Sequence, residues 1–127
     1  MRLEDLGLIG NCQFSALIEN TGAVVWCCLP RFDAEPVFST LLDEREGGRF
    51  LVGPADCSHG VQRYLDNTNV LETTFRSADG TFRVLDFAPR FPQHERMFRP
   101  TQLFRIVPDP RARTTAGAET DWLTSLI

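Results

Sequence analysis

Two stretches of this 127-residue chain limit what it can fold into, because each sets two apolar runs about a turn that contains glycine. In the first, residues 15–19 and 23–29 flank Asn20-Thr21-Gly22. In the second, residues 70–76 and 81–87 flank Ser77-Ala78-Asp79-Gly80. Runs of this kind read as antiparallel hairpins, and Asp79-Gly80 supplies residues that tolerate positive φ. Along residues 23–29, Val24, Trp26 and Cys28 alternate with Val25, Cys27 and Leu29, so both faces are apolar and both are expected to be covered. Phe82 and Val84 on one face, with Leu85 and Phe87 on the other, repeat that pattern. Two such hairpins predict a mainly β fold, an antiparallel β-sandwich.

Between the hairpins, Asp33-Ala34-Glu35-Pro36 precedes Val37, Phe38, Leu41 and Leu42, whose spacing predicts one short helix with Pro36 in its first turn and Gly47-Gly48 at its end. Short strands are expected at residues 49–52, from Tyr64-Leu65, and at residues 102–107. Beyond them, residues 108–127 read as a divergent tail, loop-like or disordered, in which Trp122, Leu123, Leu126 and Ile127 have helical spacing.

The length suits one domain, burying roughly two-thirds of its unfolded surface. Hydrophobic content of 43% with ten Phe excludes a disordered chain. The net charge of -4 carries no basic block, which argues against a nucleic-acid partner. All 13 cations are Arg, which reads as genome composition rather than as chemistry. The longest apolar run, residues 23–29, falls far short of the roughly 20 residues that span a bilayer. Glu4 and Asp5 stand where a signal peptide carries positive charge, so the expectation is a cytoplasmic chain away from membranes. Cys12, Cys27, Cys28 and Cys57 are therefore read as free thiols. The one local Cys/His pairing, Cys57-Ser58-His59, lacks the second pair that a zinc site needs, and no metal or other cofactor is expected.

A family pattern then emerges from the residues Leu8-Ile9-Gly10-Asn11-Cys12, Ala16-Leu17, Gly22, the run from Val25-Trp26 to Phe32-Asp33, and Gly47-Gly48. Tyr64, Val70-Leu71-Glu72-Thr73-Thr74-Phe75, Val84-Leu85-Asp86-Phe87, Phe98-Arg99-Pro100 and Arg105-Ile106-Val107 continue it. Residues 3–107 resemble the trehalase-like amino-terminal domain that opens bacterial proteins of glycoside hydrolase family 15, the glucoamylase, glucodextranase and trehalase group. Asn11 departs from the Asp usual there, Val25 replaces an Asp that often precedes the Trp, and the resemblance lapses beyond Val107, which implies a chain cut inside its sandwich.

The resemblance implies a full-length protein whose sandwich packs on an (α/α)6 barrel that hydrolyses α-glucosidic bonds with inversion. Such chemistry needs an acid and a base carboxyl held about 6.5–9.5 Å apart, and in the family both stand on the barrel. This chain is therefore expected to be a non-catalytic accessory domain, inactive alone, which meets an α-glucan or trehalose only through its missing partner. The alternative is a free-standing carbohydrate-binding or protein-interaction β module. No catalytic residue is assigned. Trp26, Arg31, Phe32 and Asp33 are the candidates for a substrate pocket or domain interface, since a rigid turn presenting a guanidinium, an aromatic ring and a carboxylate suits either. The plainer alternative pairs Arg31 with Asp33 and places Phe32 in the core. Asp33 and Glu35 read as helix-capping or ion-pairing groups, and Glu72 and Asp86 as cross-strand partners of Arg83 or Arg76.

Overall fold

The computed structural model describes residues 1–77, 80–108 and 123–126. A 3-10 turn at Leu3–Asp5 leads into β1 (Leu6–Gly10), β2 (Ser15–Glu19), β3 (Ala23–Cys28), β4 (Pro36–Phe38), β5 (Phe50–Leu51) and β6 (Val61–Tyr64). There follow β7 (Leu71–Ser77), β8 (Gly80–Phe87), β9 (Phe91–Gln93), β10 (Arg96–Phe98), β11 (Leu103–Ile106) and β12 (Leu123–Leu126). One sheet has the order β1-β2-β3-β4, with β5 also paired to β3. The other runs β12-β11-β8-β7-β6, and β9 and β10 form a separate two-stranded ribbon. Every pairing is antiparallel. The mainly β sandwich expected from the two hairpins is what forms.

Both hairpins sit where the apolar runs place them. Gly22, at φ +90°, closes the β2–β3 turn with its N–H on the Glu19 carbonyl. A Cβ there would stand 2.0 Å from the Val52 carbonyl oxygen, so only glycine fits. The β7–β8 hairpin closes on the pair Ser77↔Gly80, and Ala78 and Asp79 of its expected turn lie outside the described residues. β3 is covered on both faces as its alternation requires, with Val24, Val25, Cys27 and Cys28 all buried. Ile9, Phe14, Ala16, Ile18, Val24 and Cys27 of the first sheet pack with Leu71, Ala88 and Leu103 of the second. A second cluster joins Val52 to Phe75, Phe82, Val84 and Val107.

Two expectations are corrected. No helix forms over residues 33–42. Pro36–Phe38 instead pairs with Cys27 and Cys28, and Leu41 extends that edge through its N–H on the Val25 carbonyl. The backbone satisfies the free edge of β3, which a helix would leave bare, and Pro36, lacking an N–H, is tolerated on an edge strand. The apolar stripe that suggested the helix is not a buried face, since Leu42 is 76% exposed. At the other end, Leu123 and Leu126 belong to a strand facing β11, not to a helix. The loop expected at residues 112–120 lies outside the described residues.

The sheets are tied by a residue that composition had passed over. Arg105 on β11 is fully buried, and its guanidinium forks onto Asp86 of β8, Nε to Oδ1 at 2.6 Å and an Nη to Oδ2 at 3.3 Å. Its remaining donors cross to the other sheet, reaching the carbonyls of Phe50 and Gly22, and the Phe50 ring lies 5.0 Å away. Burial pushes the Asp86 carboxyl up while Arg105 pulls it back down. Breaking one member of a buried pair strands a charge, at about 3–5 kcal/mol, whereas removing both is often near neutral. Asp86→Leu is expected to cost that amount in chemical denaturation, and Asp86→Leu with Arg105→Met to recover most of it; a double variant as unstable as the single would show that the fold needs the pair's own bonds and not merely relief from a stranded charge.

On the outer face of the second sheet Glu72, nearly inaccessible, takes Arg63 at 2.8 Å and Arg83 at 3.0 Å. The hydrogen bond from Arg63 leads in holding its carboxyl below the ordinary value of 4.5, with Arg83 adding to it against the opposing effect of burial. A depressed carboxyl stabilises the fold above its unfolded value and loses that contribution as pH falls toward the folded value. The melting temperature of the protein should therefore drop between about pH 5 and pH 3, and that of Glu72→Gln should drop less; parallel curves would remove Glu72 from acid stability.

Candidate functional site

Strand pairing gathers several loops at one end of the sandwich. Gly10 faces Ser15 and Ala16 faces Cys27, so the loop at residues 11–14 and the turn after β3 emerge side by side. Leu71 faces Asp86 and Phe104 faces Phe87, which brings the 65–70 loop, the end of β8 and the start of β11 to that end too. Leu29 packs against the cluster that holds Phe14 and Ala88, confirming the neighbourhood in side chains. Loops clustered at one end of a sandwich, on a rigid scaffold, are where such folds place binding residues.

The turn at residues 29–33 carries three of the four residues singled out from the sequence. It opens on a cis Leu29–Pro30 bond, and Arg31 Nε lies 3.4 Å from Asp33 Oδ1 with both side chains exposed. Phe32 is 58% exposed, so the plainer reading holds for the ion pair and fails for the ring, which is not core. Trp26 stands apart from these three. It is half-buried on β3 opposite Leu17, and no hydrogen bond or ring contact among the described residues joins it to the turn.

Sequence reasoning missed the most exposed element of this end, the ribbon of β9 and β10. Its six strand residues are all exposed, and the rings of Phe91 and Phe98 face each other at 5.9 Å, 12° from parallel. Met97, paired with Pro92 and so on the ribbon's other face, is 50% exposed. His94 and Glu95 form its turn at φ +49° and +64°, conformations that cost a non-glycine residue about 1–2 kcal/mol each. A turn built without Gly or Asn gives no signal to a sequence reading. The root of the ribbon is pinned by Asn11, which is buried: its amide donates to the carbonyls of Pro89 and Pro100, and its oxygen accepts from the N–H groups of Gln13 and Phe14. An aspartate could accept the latter pair but could not donate to the former, which gives the Asn at this position a physical role. Beside the root lies an open cavity of about 380 Å³ between Gly10, Asn69, Val70, Phe87 and the 88–91 segment.

The two buried carboxylates, Glu72 and Asp86, project from opposite faces of one sheet, since Leu71 faces Asp86 across the ladder and Glu72 faces Leu85. Each is engaged by arginine, so the two cannot flank a common bond. Of the two, only Glu72 takes a partner expected from sequence, Arg83; Asp86 pairs with Arg105 instead of Arg76. All four cysteines are free thiols. Burial, aided by Cys28, pushes the Cys27 thiol up to about 11, which leaves it unreactive at neutral pH. His59 Nδ1 meets Asn20 Oδ1 at 2.5 Å, and no group of three or more His, Cys, Asp or Glu positioned for a metal occurs among the described residues. No helix among them is long and apolar enough to cross a membrane.

Comparison with known proteins places the chain. The trehalase of Mycolicibacterium smegmatis is 33% identical over 121 residues, which is 94% of this chain and 16% of that protein. Trehalase 1 of Sulfolobus acidocaldarius is 40% identical over 87 residues, 68% of this chain and 15% of that protein, and the trehalase of Thermoplasma volcanium is 38% identical over 86 residues, 65% and 14% respectively. The chain thus spans about one-sixth or less of the length of the curated relatives it matches. No solved structure gives a significant match. The family model described as "Trehalase-like, N-terminal" matches residues 1–115, running past Val107 where the resemblance read from sequence lapsed, and the chain belongs to that family.

Proposed function

We propose that this chain is a non-catalytic accessory domain of an α-glucosidic-bond hydrolase of the trehalase and glucoamylase group, the whole protein acting with inversion through a helical barrel, as the family resemblance implies. The observation that carries this reading is the pairing of a shared amino-terminal region, common to several trehalases, with carboxylates that are locked to arginines on opposite faces of a sheet. An inverting hydrolase needs two free carboxyls facing one bond. That the relatives are trehalases points to trehalose as the substrate of the whole protein.

The exposed turn of Arg31, Phe32 and Asp33 belongs in this reading to the rim of the substrate pocket or to the interface between domains. A free-standing module is less well supported, because the matched region forms about one-sixth or less of the longer trehalases it resembles.

The purified chain should release no glucose from trehalose, maltose or dextrin, and turnover by it would overturn the proposal. A second test replaces the matched 121 residues of the Mycolicibacterium smegmatis trehalase with this chain. That chimera should retain trehalase activity which deletion of the segment abolishes; an inactive but folded chimera would count against an accessory role. Within it, Arg31→Ala should raise KM for trehalose if the turn lines the pocket, and unchanged kinetics with a lowered melting temperature would assign the turn to structure alone.

A further inference from the structure

Resting on that accessory reading, we infer that the β9–β10 ribbon is the grip by which this domain holds the larger remainder of the polypeptide, its apolar residues seated in a cleft rimmed by carboxylates. An isolated two-stranded ribbon is marginal in water, yet this one projects Phe91, Met97 and Phe98 at 42%, 50% and 42% exposure. Its turn holds two non-glycine residues in left-handed conformations, a strain that persists where surrounding structure or a partner over-determines it. Its root is the opposite of loose. There the Asn11 amide donates to the carbonyls of Pro89 and Pro100 on either side of the ribbon, while its oxygen fixes its own loop at Gln13 and Phe14, so the ribbon is aimed by a rigid joint.

The chemistry of the ribbon selects the partner. Phe, Met and Arg are the residues enriched where proteins bury surface against one another, while a sugar site would place polar groups around an open ring face. Here the two aromatic faces are turned toward each other. Arg90, Arg96 and Arg99 surround the apolar residues, and none has a carboxylate partner among the described residues. Charge complementarity therefore asks for an acidic rim. The occupant is chosen by chain length: in the relatives at least five-sixths of the polypeptide lies outside the matched segment and is covalently at hand.

The test uses the chimeric trehalase described above. With the ribbon intact it should melt in a single cooperative transition, and Phe91→Ser with Met97→Ser and Phe98→Ser should split that into two, while the same triple variant of the 127-residue chain alone keeps its own melting temperature. Arg96→Glu with Arg99→Glu, which leaves the apolar residues in place, should split the chimera's transition as well. Single transitions retained by both variants would overturn the grip and leave the accessory reading standing. An intact chimera that melts in two transitions and lacks activity would overturn that reading, and the grip with it. Sedimentation of the chain alone closes the remaining route: a dimer abolished by the triple variant would make a second copy the occupant and refute the proposal.

Discussion

One guanidinium sets how the two sheets of the sandwich meet. Arg105 is fully buried between the two sheets, and its bonds to both of them add direction to the apolar packing, where Gln62 and Tyr64 of β6 reach the first sheet from the sandwich's other flank. Removing such a charge from water is expensive, and the geometry offsets that expense with a forked carboxylate, two carbonyls and an aromatic face. Because two of those carbonyls belong to Gly22 and Phe50, the register of the second sheet against the first is specified chemically as well as by shape. The requirement propagates: Gly22 must lack a side chain so that its carbonyl can serve both Val52 N–H and Arg105. Apolar packing alone would tolerate sliding that these directional bonds do not.

That fixed register is what gives one end of the molecule its character. Once the sheets are aligned, the loop of Asn11, the turn of Arg31 and the ribbon of Phe91 and Phe98 arise as neighbours. Burial inside and exposure at this end are two sides of the same arrangement, since the buried amide of Asn11 donates to both carbonyls at the ribbon's base. The chemistry-bearing surface thus owes its position to groups that never touch a partner.

Sequence made the strands legible wherever one period dominated. Residues 15–29 and 70–87 announced hairpins because glycine-containing turns separated apolar runs, and β3 announced double burial by being apolar on both faces. Residues 33–42 misled because a few apolar residues on a helical period look the same whether or not a face is buried, and pairing to the edge of β3 outweighed local preference. Arg105 was unreadable as a core residue, since arginine is normally a surface side chain and only the third dimension reveals Asp86, Phe50 and Gly22 around it. At the candidate site, the Arg31–Asp33 pairing of the plainer reading is present, whereas the ribbon stayed hidden behind a His-Glu turn that matches no familiar turn chemistry.

Tyr64 carries a last consequence. Its hydroxyl accepts from the Leu8 N–H at 3.0 Å and donates to the Leu8 carbonyl at 2.6 Å, so one side chain occupies both backbone groups that mid-β1 would offer to a newcomer. β1 is the outermost strand of its sheet, and an unguarded border of that kind invites another chain to add itself without regard to sequence. With that flank stoppered, indiscriminate strand-by-strand growth is discouraged there, and association is steered toward contacts made by side chains, which can discriminate between one partner and another.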